Sequence, residues 1–322
     1  MKAIQIHSAG GPEVLQLVEL PIPVPGPGQV LVRIEATGVN FIEVYFRKGV
    51  YKSSFPMTPG SEGAGTVEEL GAGVAGFAAG DAVASTSFMG SYAEYALVPA
   101  AQLVKIPQSL SLESAAAVML QGMTAHYLSH STYPLKPGET ALVHAGAGGV
   151  GLLLTQMAVH IGSRVITTVS TEAKAELSRE AGAADVILYC EQDFETEVKR
   201  LTGGKGVDVV YDSVGKTTFD QSLNSLRPRG MLVLFGASSG PVPPFDPILL
   251  SGKGSLYLTR PTLWHYIATR AELELRAGDV LGWAAGGTLK LRTEHTYPLA
   301  DAAQAQIDLE SRKTSGKILL VP

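Results

Sequence analysis

Over the first hundred or so residues, apolar positions come in short β-type runs cut by glycine and proline. "QVLVRIEATGV", "EGAGTVEELG", "DAVAST" and "AEYALVP" read as strands with turns between them. "PIPVPGPGQ" reads as a surface connector. From about residue 111 the texture turns helical: "SLESAAAVMLQGMTAHYLSHS" has serines to cap a helix and a long run of helix formers. Then the period alternates. "ETALVHAG", "SRVITTVS", "ADVILY", "GVDVVYDSV" and "GMLVLFGA" read as strands, with "GSLYLT" as a sixth. Between the first five lie the helical segments "GVGLLLTQMAVHIG", "TEAKAELSREAG", "DFETEVKRLTGG" and "TTFDQSLNSL", the first two closed by Gly162 and Gly182. Strand–helix alternation with short connections predicts right-handed crossovers and a parallel sheet covered by helices on both faces. The tail from about residue 261 adds two more helical stretches and two β-type segments, "TLKLRTEHTYP" and "GKILLVP". The simplest arrangement returns it to the β-rich start, with residues 1–122 and 261–322 flanking an inserted domain of residues 123–260.

The densest glycine cluster, "HAGAGGVG", sits where the first of these strands meets its helix. Gly146, Gly148 and Gly151 have the GxGxxG spacing, with Gly149 and Val150 between them at the helix start. That spacing serves a tight turn, a close backbone approach to a pyrophosphate and close helix–strand packing, and the helix start offers free N–H groups to phosphate. A strand–turn–helix context is what the motif requires, so the expectation is a dinucleotide site. An NAD site carries an acid at the end of the second strand, about 20 residues on. Here that strand ends in Ser170, with Lys174 one helical turn beyond. A serine donor and a lysine suit a 2′-phosphate, which points to NADPH; Glu172 is compatible with either direction.

Composition narrows the class. With 45% hydrophobic and 17% charged residues among 322, the chain is a well-cored globular protein of two-domain size. Its 25 Lys and Arg against 30 Asp and Glu give a net charge of −5 without basic runs, which argues against nucleic-acid or anionic-membrane binding. No apolar run reaches the ~18 residues of a membrane span, and "MKAIQIHSAGG" lacks a signal-peptide core. The expected location is the cytoplasm. The only cysteine, Cys190, excludes an intramolecular disulfide and a cysteine-cluster zinc site.

The layout, together with "ATGVNFIEVYFRKGVY", "PGSEGAGTVEELG", "GDAVA", "HAGAGGVG", "YDSVG" and "SRKTSGKILLVP", resembles the medium-chain dehydrogenase/reductase superfamily. Within it the chain is most similar to the zinc-free, ζ-crystallin-like NADPH:quinone oxidoreductases, over essentially its whole length. The resemblance implies a GroES-like β-rich catalytic domain plus a doubly wound Rossmann domain. Asn40 stands where the zinc alcohol dehydrogenases have a cysteine ligand, and Ser61 replaces the histidine of their "GHE", so no metal is expected. Glu62 is left with a structural role, and His144 reads as a strand-end residue.

Without a metal to lower a hydroxyl pKa, the feasible substrate is already electrophilic, such as a quinone or an activated carbonyl compound. Such a substrate needs a hydride donor, a flat pocket and donors for the developing oxyanion. Asn40 and Tyr45 in "NFIEVY" are the candidate donors, and Tyr51 a residue of the pocket entrance. The resemblance also implies Tyr189 near the adenosine phosphate, Arg312 as a basic partner of the 2′-phosphate, and Thr124 at the nicotinamide. It places Ser213, Phe235, Gly236 and Ala237 along the nicotinamide ribose and pyrophosphate, and implies a homodimer joined through "GMLVLFGA" and "GSLYLT". Two other readings stay open: reduction of α,β-unsaturated ketones or aldehydes, and a crystallin-like or RNA-associated protein that retains the cofactor site.

Overall fold

The computed structural model describes residues 1–322 and divides into two compact units, Met1–Met123 with Ile267–Pro322, and Thr124–Tyr266. The first begins with β1 (Lys2–Gln5) and β2 (Gln16–Glu19), an antiparallel pair, followed by β3 (Gln29–Val39), α1 (Phe41–Arg47), β4 (Gly63–Leu70), β5 (Ala82–Ser85), β6 (Tyr95–Pro99), β7 (Val104–Lys105) and the first three turns of α2 (Leu112–Tyr127), whose last four residues belong to the second unit. The second holds β8 (Thr140–His144), α3 (Gly149–Ile161), β9 (Arg164–Val169), α4 (Glu172–Glu180), β10 (Asp185–Leu188), α5 (Phe194–Leu201), β11 (Val207–Asp212), α6 (Phe219–Asn224), β12 (Leu226–Leu234), α7 (Ile248–Gly252), β13 (Tyr257–Thr259) and α8 (Leu263–Tyr266). The chain then returns to the first unit with α9 (Arg270–Ala285), β14 (His295–Pro298), α10 (Ala302–Glu310) and β15 (Ile318–Val321).

The first unit is built on a seven-stranded sheet in the order β14-β15-β3-β4-β5-β7, with β6 also paired to β3. All its pairings are antiparallel except β14–β15. Period-two alternation puts Val30, Val32 and Ile34 of β3 on one face, where they pack with Val67, Val83, Phe88, Val98 and Leu103. A second core joins Ile4, Ile6, Val39 and Tyr92 to Leu299, Ala302, Ala305, Ile318 and Leu320 of the returning tail. Each such aliphatic side chain stabilises the fold by about 1.5–3 kcal/mol on burial.

The tail differs from its sequence pattern in one place. Only His295–Pro298 of "TLKLRTEHTYP" is strand, and α10 separates it from the last one. The cause is the end of α9: Gly287 takes φ +75°, Leu289 N–H turns back to the Trp283 carbonyl (3.1 Å), and the Leu289 side chain is buried. Residues 288–294 therefore leave the helix through a packed loop.

The second unit has six strands in the order β10-β9-β8-β11-β12-β13, all parallel. The strand order reverses between β8 and β11, and the crevice at the carboxyl ends of such strands is where an open α/β sheet takes its ligand. Leu142, Ile166, Ile187, Val210 and Leu232 of these strands form the apolar core with Phe194, Val198, Phe219 and Leu223 of the covering helices. The helices stop where the glycines predict: Gly162 ends α3 at φ +95°, and Gly182 follows α4 at φ +101°. Asp193 caps α5 by accepting the Thr196 N–H at 2.8 Å. "GSLYLT" contributes the edge strand β13. No helix is long and apolar enough to cross a membrane.

Candidate cofactor and substrate sites

The three motif glycines have three different surroundings. A Cβ on Gly146 would lie 2.6 Å from Thr167 Cβ and 2.7 Å from Ser178 Oγ, so the turn packs directly on β9 and α4. A Cβ on Gly151 would lie 2.3 Å from the Ala145 carbonyl oxygen, so α3 starts hard against the turn. A Cβ on Gly148 would meet only Ala145 of the same turn, at 3.1 Å and beyond, which leaves its outer side open. Two closed positions and one open one are what a turn needs to bring backbone close to a pyrophosphate. Gly148 is the N-cap of α3, so Gly149, Val150 and Gly151 carry the first N–H groups of a thirteen-residue helix without intrahelical partners. Ala145 holds a left-handed φ of +54° to enter this turn.

Ser170 follows the last residue of β9 and Lys174 lies in the first turn of α4, whose N-cap Thr171 accepts the Lys174 N–H. Glu172, whose direction the sequence left open, is paired with Arg179 of its own helix at 2.6 Å. Tyr189 donates its N–H to the Val169 carbonyl (3.1 Å), which sets it beside Ser170 at the sheet edge. Ser213 follows β11, and Phe235, Gly236 and Ala237 follow β12. Gly236 has no room for a side chain, since its Cβ would lie 2.5 Å from the Ser213 carbonyl oxygen. These residues thus share the carboxyl end of one sheet. Thr124 is buried in α2. Arg312 belongs to the other unit, one residue beyond the C-cap of α10, at φ +59°.

In the first unit, α1 divides its residues between two faces. Glu43, Val44 and Arg47 are buried, while Phe41 and Tyr45 lie on the opposite, half-buried side. Tyr45 meets the edge of Tyr51 at 5.4 Å between ring centroids, and Tyr51 meets Phe46 at 5.6 Å. The result is an aromatic surface with a phenol at its centre.

Behind it lies a buried polar network. Glu62 accepts the Asn40 Nδ2–H at 2.8 Å and the Leu120 N–H at 2.5 Å, and forms an ion pair with Lys317. Lys317 also donates to Asn40 Oδ1 at 2.7 Å, and Gln121 donates to the same oxygen at 3.3 Å. The Asn40 carboxamide is therefore committed on both sides to protein partners, with a further, longer contact to the Gly38 carbonyl at 3.5 Å. Asn40 N–H donates to Glu43 Oε2 at 2.7 Å, while Glu43 Oε1 is buried without a protein partner. Burial raises the Glu43 carboxyl to about 8 and nearby Glu62 adds to the rise, against the pull of Lys317 and the Asn40 N–H. One lysine thus serves two carboxyls, and Glu43 keeps its proton at neutral pH. Glycine is required at position 38, where a Cβ would lie 2.0 Å from Glu62 Oε2.

Glu43, Gln121 and Lys317 were not among the expected site residues. Glu43 was legible as the third residue after Asn40, the N-x-x-E spacing of a capping box. Lys317 had a weaker signal, as a lone charge abutting the apolar run "ILLV".

Residues 26–108 match the family model for the alcohol dehydrogenase GroES-like domain, and residues 149–267 that for zinc-binding dehydrogenase. A quinone oxidoreductase of Pseudomonas aeruginosa is 45% identical over 323 residues, covering 100% of this chain and 99% of that protein. A 2-haloacrylate reductase of a Burkholderia species is 43% identical, covering 99% of this chain and 98% of that protein. A mycobacterial protein solved in complex with NADPH superposes with a TM-score of 0.98 at 51% identity, over 100% of both chains.

Proposed function

Because this chain belongs to the quinone oxidoreductase family of the medium-chain dehydrogenases/reductases, we propose that it reduces quinones by hydride transfer from NADPH. The observation that carries the reading is the open-sided glycine turn at the switch point of the parallel sheet, on the same edge as Ser170, Lys174 and Tyr189. NADPH when bound supplies the hydride. The chain's own residues hold the pyrophosphate on the N–H groups of Gly149, Val150 and Gly151, and the 2′-phosphate on Ser170, Lys174 and Tyr189. Thr124, Ser213, Phe235, Gly236 and Ala237 line the nicotinamide side.

Cofactor choice is tested at Lys174. A charge-assisted contact is worth about 1.5–3 kcal/mol, so Lys174→Ala should weaken NADPH binding about ten- to a hundredfold and leave NADH nearly unchanged. Fluorescence titration with both cofactors reads this directly, and equal losses would remove the 2′-phosphate assignment.

For the acceptor, Tyr45 offers its O–H to the oxygen that gains charge, on an aromatic surface that suits a flat ring. Asn40, tied to Glu62 and Lys317, caps the start of the helix that carries Tyr45. Protonation of the hydroquinone anion is left to water. Tyr45→Phe should lower kcat/KM for a benzoquinone by about tenfold, the loss of one hydrogen bond, with NADPH affinity retained. Unchanged turnover would make Tyr45 a packing residue only. The 2-haloacrylate reductase relative supports a second reading, reduction of an activated alkene by the same hydride. Steady-state comparison of a benzoquinone, a naphthoquinone and a 2-alkenal with the same enzyme ranks the two.

We propose that the chemistry proceeds without metal, on the ground that Asn40 and Ser61 stand where the zinc alcohol dehydrogenases have their ligands and that the chain has a single cysteine. We place the enzyme in the cytoplasm as a homodimer. The edge strand β13, with Tyr257 58% exposed, is the surface on which two copies would join their sheets.

A further inference from the structure

Four buried side chains behind the proposed cofactor edge form a hydrogen-bonded line that the hydride chemistry does not use. His144 ends β8, Asp212 ends β11, Thr168 is the last residue but one of β9, and Ser222 comes from α6. Each is 2% exposed or less. The Asp212 carboxylate determines the direction of the line. Its Oδ1 accepts the N–H groups of Val214 (2.7 Å) and Gly215 (3.0 Å), and its Oδ2 accepts the hydroxyls of Thr218 (2.7 Å) and Ser222 (2.9 Å). Ser222 has a single proton, and it goes to Asp212. Its oxygen can then only accept from His144 Nε2, 3.0 Å away, so Nε2 carries a hydrogen. In a neutral imidazole the other nitrogen is an acceptor, and Thr168 Oγ1 donates to Nδ1 at 2.8 Å.

Both ends of the line reach cofactor loops. The Thr168 carbonyl accepts the Gly146 N–H at 3.0 Å, which anchors the first glycine of the turn. Asp212 closes the 213–215 turn through its side chain, and its carbonyl accepts the Phe235 N–H at 2.8 Å. We propose that Thr168, His144, Ser222 and Asp212 act as a one-directional hydrogen-bond chain that locks His144 as the Nε2–H tautomer and holds the 145–151 and 213–215 loops in register for the dinucleotide. These are positioning residues, and their role rests on the NADPH reading above.

Burial lowers the His144 pKa, with Asp212, the one charged group acting on the ring, pulling the other way. The remaining neighbours are uncharged: Thr168, Ser222 and the Phe194 ring, edge-on at 4.8 Å. A ring held neutral in one tautomer gives a cradle that does not change with pH across the physiological range. A neutral imidazole leaves Asp212 as the only charged member of the line.

The test combines two readouts on the full-length protein. Nitrogen-15 NMR of histidine-labelled enzyme without cofactor should show His144 as the Nε2–H tautomer, unchanged between about pH 6 and 8. Ser222→Ala should release the lock, giving mixed tautomers, and raise the NADPH Kd by about tenfold, the loss of one hydrogen bond. His144→Leu should weaken NADPH at least as much, and His144→Gln, whose amide both donates and accepts, should recover part of the loss. An Nδ1–H or doubly protonated ring at pH 7 overturns the chain, as does a Ser222→Ala protein with wild-type tautomer and wild-type Kd. A wild-type protein with the locked tautomer but no affinity for NADPH overturns the cofactor reading and the proposed role with it, so the two failures are distinguishable.

Discussion

Lys317→Met should destabilise the protein by about 3–5 kcal/mol, the usual loss when one partner of a buried ion pair is removed. The side chains of Lys317 and Glu62 are 3% and 0% exposed. Methionine preserves much of the volume but leaves the Glu62 carboxylate with only the Asn40 amide and the Leu120 N–H as donors. It also strips Asn40 Oδ1 of its charged donor. Urea unfolding at pH 7 measures the loss as a lower midpoint. Adding Glu62→Gln to Lys317→Met should restore a good part of it, because the cost lies in the stranded charge rather than in a missing contact. A single variant that unfolds at the wild-type midpoint would show the pair to be solvated.

Glu43 should make stability fall as pH rises. Its carboxyl is raised from 4.5 to about 8 in the folded protein, so between those values the folded form holds a proton that the unfolded chain has released. The associated stability is fully present below about pH 4.5 and is lost as pH climbs through about 8. At about 1.4 kcal/mol per pH unit the span amounts to at most about 5 kcal/mol. Glu43→Gln is neutral at every pH and can still accept the Asn40 N–H. Its stability relative to wild type should therefore improve steadily from pH 5 to 8.5 in thermal or urea unfolding. Parallel curves for the two proteins would mean that Glu43 is ionised throughout.

The second unit was legible in the chain because each of its decisions is local. Short continuous apolar runs give way to a 3.6 period at each strand–helix junction, Gly162 and Gly182 mark helix ends, and Gly146 to Gly151 lie within six residues. The polar network of the first unit follows no such spacing. Asn40, Glu62, Gln121 and Lys317 come from four distant stretches of chain, and only the closing of the sheet brings them together. Asn40 could be named from its neighbours, but that its amide is spent on Glu62 and Lys317 depends on where β15 lies. The N-terminal pair β1–β2 and the two-residue β7 escaped for a related reason: they are too short to show a period and are strands because a neighbour pairs with them.

The place of β15 in the first unit's sheet also bears on the order of events during synthesis. Its pairing Ile318 with Val39 and Leu320 with Thr37 joins segments about 280 residues apart, whereas every strand of the second unit finds its partners within residues 124–266. On a ribosome the second unit has its whole sequence in hand before the tail emerges, and its contacts close shorter loops. The first unit must wait with the Thr37–Val39 end of β3 unpaired and with Glu62 lacking its lysine until β15 emerges. β15 therefore acts as a late checkpoint: a chain truncated before residue 317 would carry a finished nucleotide fold and, in its first unit, an open sheet with an unneutralised charge inside it.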